Sequence, residues 1–89
     1  MITYPFKTAP SAIRLNKERI SFVFYFDNGY GASVIPDGYG IEESPYELAV
    51  LSRQYTGWDL CYTSPITDDV VGWLDASAVD LLLERIRNL

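Results

Sequence analysis

The sequence predicts an α+β domain in which an antiparallel meander sheet is packed on one face by a C-terminal helix. Residues 20–63 contain runs that alternate apolar and polar side chains with the period of two that strands show. Short polar links separate these runs, and strands joined by short links are most simply arranged as a meander. Residues 76–89 instead carry apolar side chains at helical spacing.

The chain length of 89 residues predicts a single domain, residues 1–89, with one modest core. Pro5 and Pro10 exclude a continuous helix near the N-terminus. We expect an extended N-terminal segment at residues 1–19, a four-stranded meander at 20–63, a short helical turn at 67–72 and a helix at 75–88. A fifth strand would come from Ser11–Leu15.

The clearest strand is Ile20–Phe26, which leads into the turn signal Asn28-Gly29. Both turn residues tolerate positive φ, so this dipeptide predicts a two-residue type I′ turn. Such a turn would pair Phe26 with Gly31, Phe24 with Ser33 and Phe22 with Ile35. The small residues beside the phenylalanines leave room for the C-terminal helix, so we expect the helix to dock on the phenylalanine face.

The turn sequence recurs, first as Asn28-Gly29-Tyr30-Gly31 and then as Asp37-Gly38-Tyr39-Gly40. We interpret residues 37–45 as a loop between the second strand and a third strand at residues 46–52, with a fourth at 58–63. Glycine-flanked tyrosines can expose their rings to a base, and nearby backbone N–H groups can bind a phosphate. One hypothesis is therefore a nucleotide site that stacks on Tyr30, Tyr39 and Trp58. Turn chemistry explains the same glycines without a ligand.

The C-terminal helix is defined by Asp75 as its N-cap and by an apolar stripe. The stripe consists of Val79, Leu82, Leu83, Ile86 and Leu89. A helix of about 13 residues is marginal alone, so it has to pack on the sheet. We expect Trp73 to anchor it in the core. Leu81 lies outside the stripe, which predicts either an isolated exposed leucine or a contact with a partner or a second copy.

The residue types present exclude much of enzyme chemistry. The sequence has no histidine and one cysteine, Cys61, which removes His-dependent triads, His-containing zinc sites and thiolate metal clusters. The carboxylate pairs Glu42-Glu43 and Asp68-Asp69 could act as acid and base or bind a hard cation. A solvated loop and a helix N-terminus explain them equally well. We therefore expect no catalytic residue, metal site or cofactor, and rank a carboxylate enzyme third among the functions.

Charge is distributed unevenly along the chain. The formal net charge is −5, but residues 27–84 carry eleven acidic side chains against Arg53 alone. Such a surface does not bind nucleic acid by neutralising phosphates, and it attracts proteins with a basic surface. The contacts we predict for such a partner are Tyr39, Glu42, Glu43, Asp68, Asp69 and Leu81. The alternative is that the acidic charge serves only solubility.

Four further features concern location and assembly. No apolar run is long enough to span a bilayer, and the N-terminus lacks the pattern of a signal peptide. A single cysteine fits a reducing cytoplasm. Because a small meander has open edges, we expect a homodimer.

Three blocks of the chain, FDNGYGASV at residues 26–34, YELAVL at 46–51 and PITDDVVGWL at 65–74, together with the helix after them, resemble a family of small phage and prophage proteins. The shared motifs are signatures of turns, strands and caps. The resemblance implies a virus-encoded protein in the host bacterial cytoplasm. It also implies that the protein binds and blocks a host protein, for example a defence component such as a CRISPR effector. The alternative function is a module that binds a nucleotide signal.

Overall fold

The computed structural model describes residues 4–16, 19–41, 44–55, 57–61 and 70–89. Within these ranges the chain forms six strands and one helix. The strands are β1 (Ala12–Asn16), β2 (Arg19–Tyr25), β3 (Tyr30–Ile41), β4 (Ser44–Gln54), β5 (Gly57–Leu60) and β6 (Val70–Leu74). The helix is α1 (Ala76–Arg87).

The sheet is an antiparallel meander in which β1 to β5 lie in sequence order. β4 is long enough to pair with β3 along one edge and with two strands along the other edge. Its first half, around Tyr46–Ala49, pairs with β6, and its second half, Leu51–Gln54, pairs with β5. The predicted α+β class, with a meander covered by a C-terminal helix, is therefore confirmed. β6 is a further strand that the sequence did not predict.

The core lies between one face of the sheet, here called the core face, and α1. Because side chains alternate along each strand, β2, β3 and β4 each contribute every second residue to it. The buried strand residues are Phe22, Phe24, Ala32, Val34, Leu48 and Val50, and the buried helix residues are Val79, Leu83 and Ile86. The ring of Phe6 extends this core, because it packs edge-to-face on Phe22 with ring centroids 5.4 Å apart.

The β2–β3 turn differs from the predicted two-residue turn. The Phe26 N–H donates to the Tyr30 carbonyl at 2.9 Å, so Asp27, Asn28 and Gly29 form a three-residue loop. Only Gly29 takes positive φ there, at 86°. A glycine in the left-handed region is what a three-residue hairpin with a bulge requires.

The longer loop moves the register by one residue, so the predicted pairs are wrong. Phe24 lies opposite Ala32, and Phe22 lies opposite Val34. A shift of one residue exchanges the faces of a strand. The observed register buries Val34 on the core face and leaves Ser33 on the other face, whereas the predicted register would have buried the Ser33 hydroxyl.

Asn28 joins this turn to the C-terminal end of α1. Its side-chain amide donates to the carbonyls of Ile86 and Arg87, both at 2.9 Å, and to that of Leu89 at 3.3 Å. Its side-chain oxygen accepts from the Tyr30 N–H at 3.0 Å. The last carbonyls of a helix have no partner within the helix, so a hairpin residue satisfies them here.

Two segments form strands although the sequence predicted otherwise: one was predicted as a loop and the other as a helical turn. Residues 37–45 were predicted as a loop, but β3 continues to Ile41 and β4 begins at Ser44. The predicted helical turn at 67–72 is wrong where it is described, because Val70 begins β6. The unpaired edge of β4 offers backbone partners there, and adjacent valines favour a strand. Residues 67–69 lie outside the described ranges.

The helix begins as predicted, and its apolar stripe is confirmed in part. The Asp75 carboxylate accepts from the Ala78 N–H at 2.7 Å, the geometry of an N-cap. The stripe ends before Leu89, which is exposed, and Leu81 is 69% exposed. Trp73 does not anchor the helix, because it is also exposed, and the neighbouring Leu74 is buried in the core instead.

The free side of β1 is the outer edge of the sheet on the side away from β5. No described strand pairs with that edge, and Leu15 is 69% exposed beside it. Homodimer formation through such an edge stays a prediction. No helix in the described part of the chain is long and apolar enough to cross a membrane.

We expect Asn28→Ala to lower the free energy of unfolding by about 0.5–1.5 kcal/mol, because one part-buried and two exposed carbonyls at the helix end lose their donor. Asn28→Asp should cost more, since a carboxylate cannot donate and repels the negative end of the helix dipole. Urea denaturation measures both. Asp27→Asn, at the neighbouring exposed position, is the control and should stay within about 0.5 kcal/mol of the parent chain. An Asn28→Asp variant as stable as the parent would contradict this role.

Candidate functional site

The sheet has a second face, here called the open face, which points away from α1. In the described part of the chain, α1 and Phe6 pack on the core face, and no helix or strand lies over the other side. The alternation of the strands directs Val23, Tyr25, Ser33, Ala49 and Leu51 to this face. Among the described residues, this face is therefore the side of the sheet on which no other element packs.

Two aromatic rings are stacked on the open face. Trp58 of β5 lies against Tyr25 of β2, with ring centroids 4.6 Å apart and planes tilted by 31°. The indole reaches across β3 because Gly31 has no side chain in its way. A Cβ at Gly31 would lie 3.3 Å from Trp58 Cζ3 and would collide with the Phe24 carbonyl oxygen. Gly31 is thus needed for the position of Trp58.

Arg14 completes a group of three contacting side chains, here called the aromatic trio. Its guanidinium Nη2 donates to the Tyr25 hydroxyl at 3.2 Å. Beneath the trio, Val23 is only 5% exposed and Leu51 only 9%. The trio therefore rests on apolar side chains, which restrict its rotamers and hold its rings in place before any partner arrives.

A depression of about 310 Å³ runs beside the trio. Its lining consists of Arg14, Ser21, Val23, Tyr25, Ser33, Leu51, Trp58 and Leu60. A second depression, of about 80 Å³, is lined by Ser33, Ile35, Glu47 and Ala49. The two depressions share Ser33 and are together called the valley here. The two serines of the larger part contact each other, with Ser21 Oγ and Ser33 Oγ 3.1 Å apart.

The floor of the valley is a row of small side chains that crosses the strands. Val23, Ser33 and Ala49 lie opposite one another in neighbouring strands. Tyr25 and Leu51 rise on one side of this row, and Ile35 and Glu47 rise on the other. The two sides are four residues apart along a strand, so their Cα atoms are separated by about 13 Å.

A bulge in β6 places Trp73 at the border of this surface. Leu48 lies opposite Val71 and Tyr46 lies opposite Leu74, so Gly72 and Trp73 together face Glu47. Trp73 has a φ of 59°, which no other non-glycine residue in the described ranges shares in sign, and its side chain is 65% exposed. Left-handed backbone at a bulky residue costs about 1–2 kcal/mol.

Most residues predicted as contacts do not come together. Trp58 lies on the open face, but Tyr30 packs against the core on the opposite face, so the two cannot hold one base between them. Leu81 lies on the outer side of α1, beside Lys7, Asp80 and Glu84. The predicted contacts Tyr39, Glu42, Glu43, Asp68 and Asp69 are outside the part of the chain whose side chains are described.

Arg14, Tyr25 and Trp73 were not among the contact residues predicted from the sequence. For Tyr25 the signal was present, because its position in the alternation of β2 directs it away from the phenylalanines. Arg14 and Trp73 could not be found, since their importance depends on strand pairing and on a bulge. Among the described residues, no group of three or more His, Cys, Asp or Glu side chains could hold a metal ion. Cys61 is half-buried against the core.

Comparisons with models of known protein families, with curated proteins and with solved structures gave no match. The resemblance to phage proteins therefore stays a prediction. The function has to be argued from the chemistry of the surface rather than from the fold.

We expect Gly31→Ala to destabilise the protein by about 1–3 kcal/mol and to displace Trp58, because its methyl group has no room between Phe24 and the indole. Thermal unfolding measures the first effect, and tryptophan emission measures the second. Gly72→Ala is the matched control, since a Cβ there would meet only Glu47 Cγ, at an ordinary 3.7 Å. Equal losses in both variants would show that space at Gly31 is not the cause.

Proposed function

We propose that this protein is a binding module that covers a surface of a partner protein with its open face. The observation that carries the proposal is the aromatic trio, in which Tyr25 contacts both Arg14 and Trp58 on a face that no described element covers. Arg, Tyr and Trp are the residue types that supply most binding energy in protein interfaces. Contacts within the trio also reduce the entropy that it loses on binding.

The partner that fits the charge of the chain is a protein with a basic surface. The net charge is −5, and the excess of acidic residues lies in residues 27–84. Such a charge accelerates encounter with a basic protein and makes the association weaker as salt rises. Together with the resemblance to phage proteins, this supports a host bacterial protein as the target, for example a CRISPR effector or another defence component. Binding would act by occlusion, which requires no chemistry from the bound module.

A second candidate function is supported by the polar groups of the valley. A guanidinium, three hydroxyls (of Ser21, Ser33 and Tyr25) and an indole line one depression of about 310 Å³. These are groups that an anionic aromatic ligand such as a nucleotide would use, and the volume lies at the lower limit for ligand pockets. Calorimetric titration with mono-, di- and cyclic nucleotides tests this function, and an absence of heat at millimolar ligand would exclude it.

If the open face binds a partner protein, Trp58→Ala should bind that partner more weakly than the parent chain does. The tagged parent chain is incubated with bacterial lysate at low salt, and the captured protein is identified and then purified. We expect its affinity to fall at least 30-fold in the variant, since a central interface tryptophan is worth about 2 kcal/mol or more.

Tyr55→Ala is the matched control, because Tyr55 is an aromatic residue that is fully exposed in the β4–β5 turn, away from the trio. Its affinity should equal that of the parent chain. If Trp58→Ala retains the partner with full affinity while remaining folded, the open face is not the binding surface.

A further inference from the structure

The β2–β3 turn contains the only Asn-Gly dipeptide of the chain, and its asparagine is exposed. Of the three asparagines, Asn16, Asn28 and Asn88, only Asn28 is followed by glycine. The backbone nitrogen after an asparagine can attack the side-chain amide carbon, and glycine permits this most readily because it has no side chain to obstruct the approach. The dipeptide therefore has the chemistry of spontaneous deamidation.

This reaction needs no co-reactant other than water. The Gly29 nitrogen loses its proton to solvent and bonds to Asn28 Cγ, and the bond from Cγ to Nδ2 breaks to release ammonia, which takes a proton from solvent. Water then opens the resulting five-membered imide at either of its two carbonyls. The products are aspartate and isoaspartate, in which the main chain passes through Cγ and is one methylene longer. In both products a carboxylate, which only accepts hydrogen bonds, replaces an amide that donates them.

The folded structure engages every group that has to react. The Asn28 amide nitrogen, which is the leaving group, donates to two carbonyls at the end of α1, both at 2.9 Å. The side-chain oxygen accepts from the Tyr30 N–H at 3.0 Å, and the Gly29 N–H donates to the Phe26 carbonyl at 3.3 Å. Bond formation requires the side chain to move toward the Gly29 nitrogen and to lose its amide nitrogen. The bonds to α1 oppose both changes.

We propose that Asn28 is a deamidation site and that the rate of its reaction is set by how often the end of α1 detaches from the β2–β3 turn. This inference goes beyond the proposed function and does not depend on it. Detachment is a local opening of the structure, and a group that reacts only in the open state reacts in proportion to the population of that state. The bonds that position α1 therefore also determine the chemical lifetime of the chain.

The modification has an irreversible effect on the fold. A carboxylate in place of the Asn28 amide cannot donate to the helix carbonyls, and the negative end of the helix dipole repels its charge. Isoaspartate also adds a methylene to the three-residue loop between β2 and β3, and the register of these two strands depends on the length of that loop. The deamidated chain therefore holds α1 less firmly than the parent chain.

The first test compares the full chain with the peptide acetyl-FDNGYGAS-amide, which contains residues 26–33 without α1. Both are incubated in mildly alkaline buffer, and mass spectrometry follows the conversion of amide to acid. We expect Asn28 to react about tenfold or more slowly in the folded chain than in the peptide. Equal rates would overturn the protection by α1. If Asn28 stays intact even when the chain is unfolded in urea, the site itself is wrong.

Two arginine variants test whether the end of α1 controls the rate. Arg87 holds that end, because its guanidinium lies 5.5 Å from the centre of the Phe26 ring and donates to Thr8 Oγ1 at 3.0 Å. Arg85 lies in the same last turn and makes neither contact, so Arg85→Ala removes the same charge and is the matched control. We expect Arg87→Ala to deamidate about two- to fivefold faster than Arg85→Ala, the factor equivalent to an exposed cation–π contact. Equal rates in the two variants would overturn control by the helix end.

A third experiment examines the product. The deamidated chain is separated by anion exchange, because it carries one more negative charge than the parent chain. We expect it to show faster hydrogen exchange in the last turn of α1 and a lower unfolding temperature, as the Asn28→Asp variant should. Asn28→Ser has no amide to lose, so its elution profile should stay constant during the same incubation. A deamidated chain that unfolds at the temperature of the parent chain would overturn the effect on the fold.

Discussion

The bonds from Asn28 to the end of α1 are the constraint on which the rest of the structure depends. One side chain accepts from Tyr30 within the β2–β3 turn and donates to the carbonyls of Ile86 and Arg87. It therefore links the geometry of a local turn to the position of an element that begins almost fifty residues later. The guanidinium of Arg87 strengthens the same junction, because it lies 5.5 Å from the centre of the Phe26 ring. With α1 held at this end, its apolar stripe covers the phenylalanines, and only the opposite face of the sheet can receive a partner.

The open face is the candidate binding surface of this small domain. Its apolar residues Val23 and Leu51 are buried, and they line one depression together with Tyr25, Trp58 and Arg14. Large side chains stand at the sides and small ones form the floor, so the surface is concave, although the sheet beneath it is continuous. The same glycine that permits the indole to lie over β3 also relieves the pairing of β3 with β2. Scaffold and candidate site therefore share residues, and mutations there should be judged by stability and binding together.

Sequence patterns were reliable where a local rule decides the structure. The Asp75 cap and the strand periodicity of β2 need only their neighbours, and both are confirmed. Errors occurred where a distant partner changed the outcome. The strand at Val70–Leu74 exists because β4 has a free edge, which the composition of residues 65–74 does not reveal. Trp73 was expected to anchor the final helix in the core, but with the bulge the core position belongs to Leu74. Of the candidate site, Trp58 was selected from the sequence, but with Tyr30 as its companion, which lies on the other face.

The sequence by itself determined the class of the fold, the approximate positions of the main strands, the cap of the helix and the acidic charge of the chain, because these follow from periodicity, from local hydrogen bonding and from counting charges. The tertiary structure decided which residues meet. A register change of one residue in the β2–β3 hairpin exchanged the faces of β3, so Ser33 became the floor of the valley and Val34 became core. That change depends on a turn in which only Gly29, and not Asn28, has positive φ, and on the bonds from Asn28 to the end of α1. The alternation of residues along a single strand reveals neither of these.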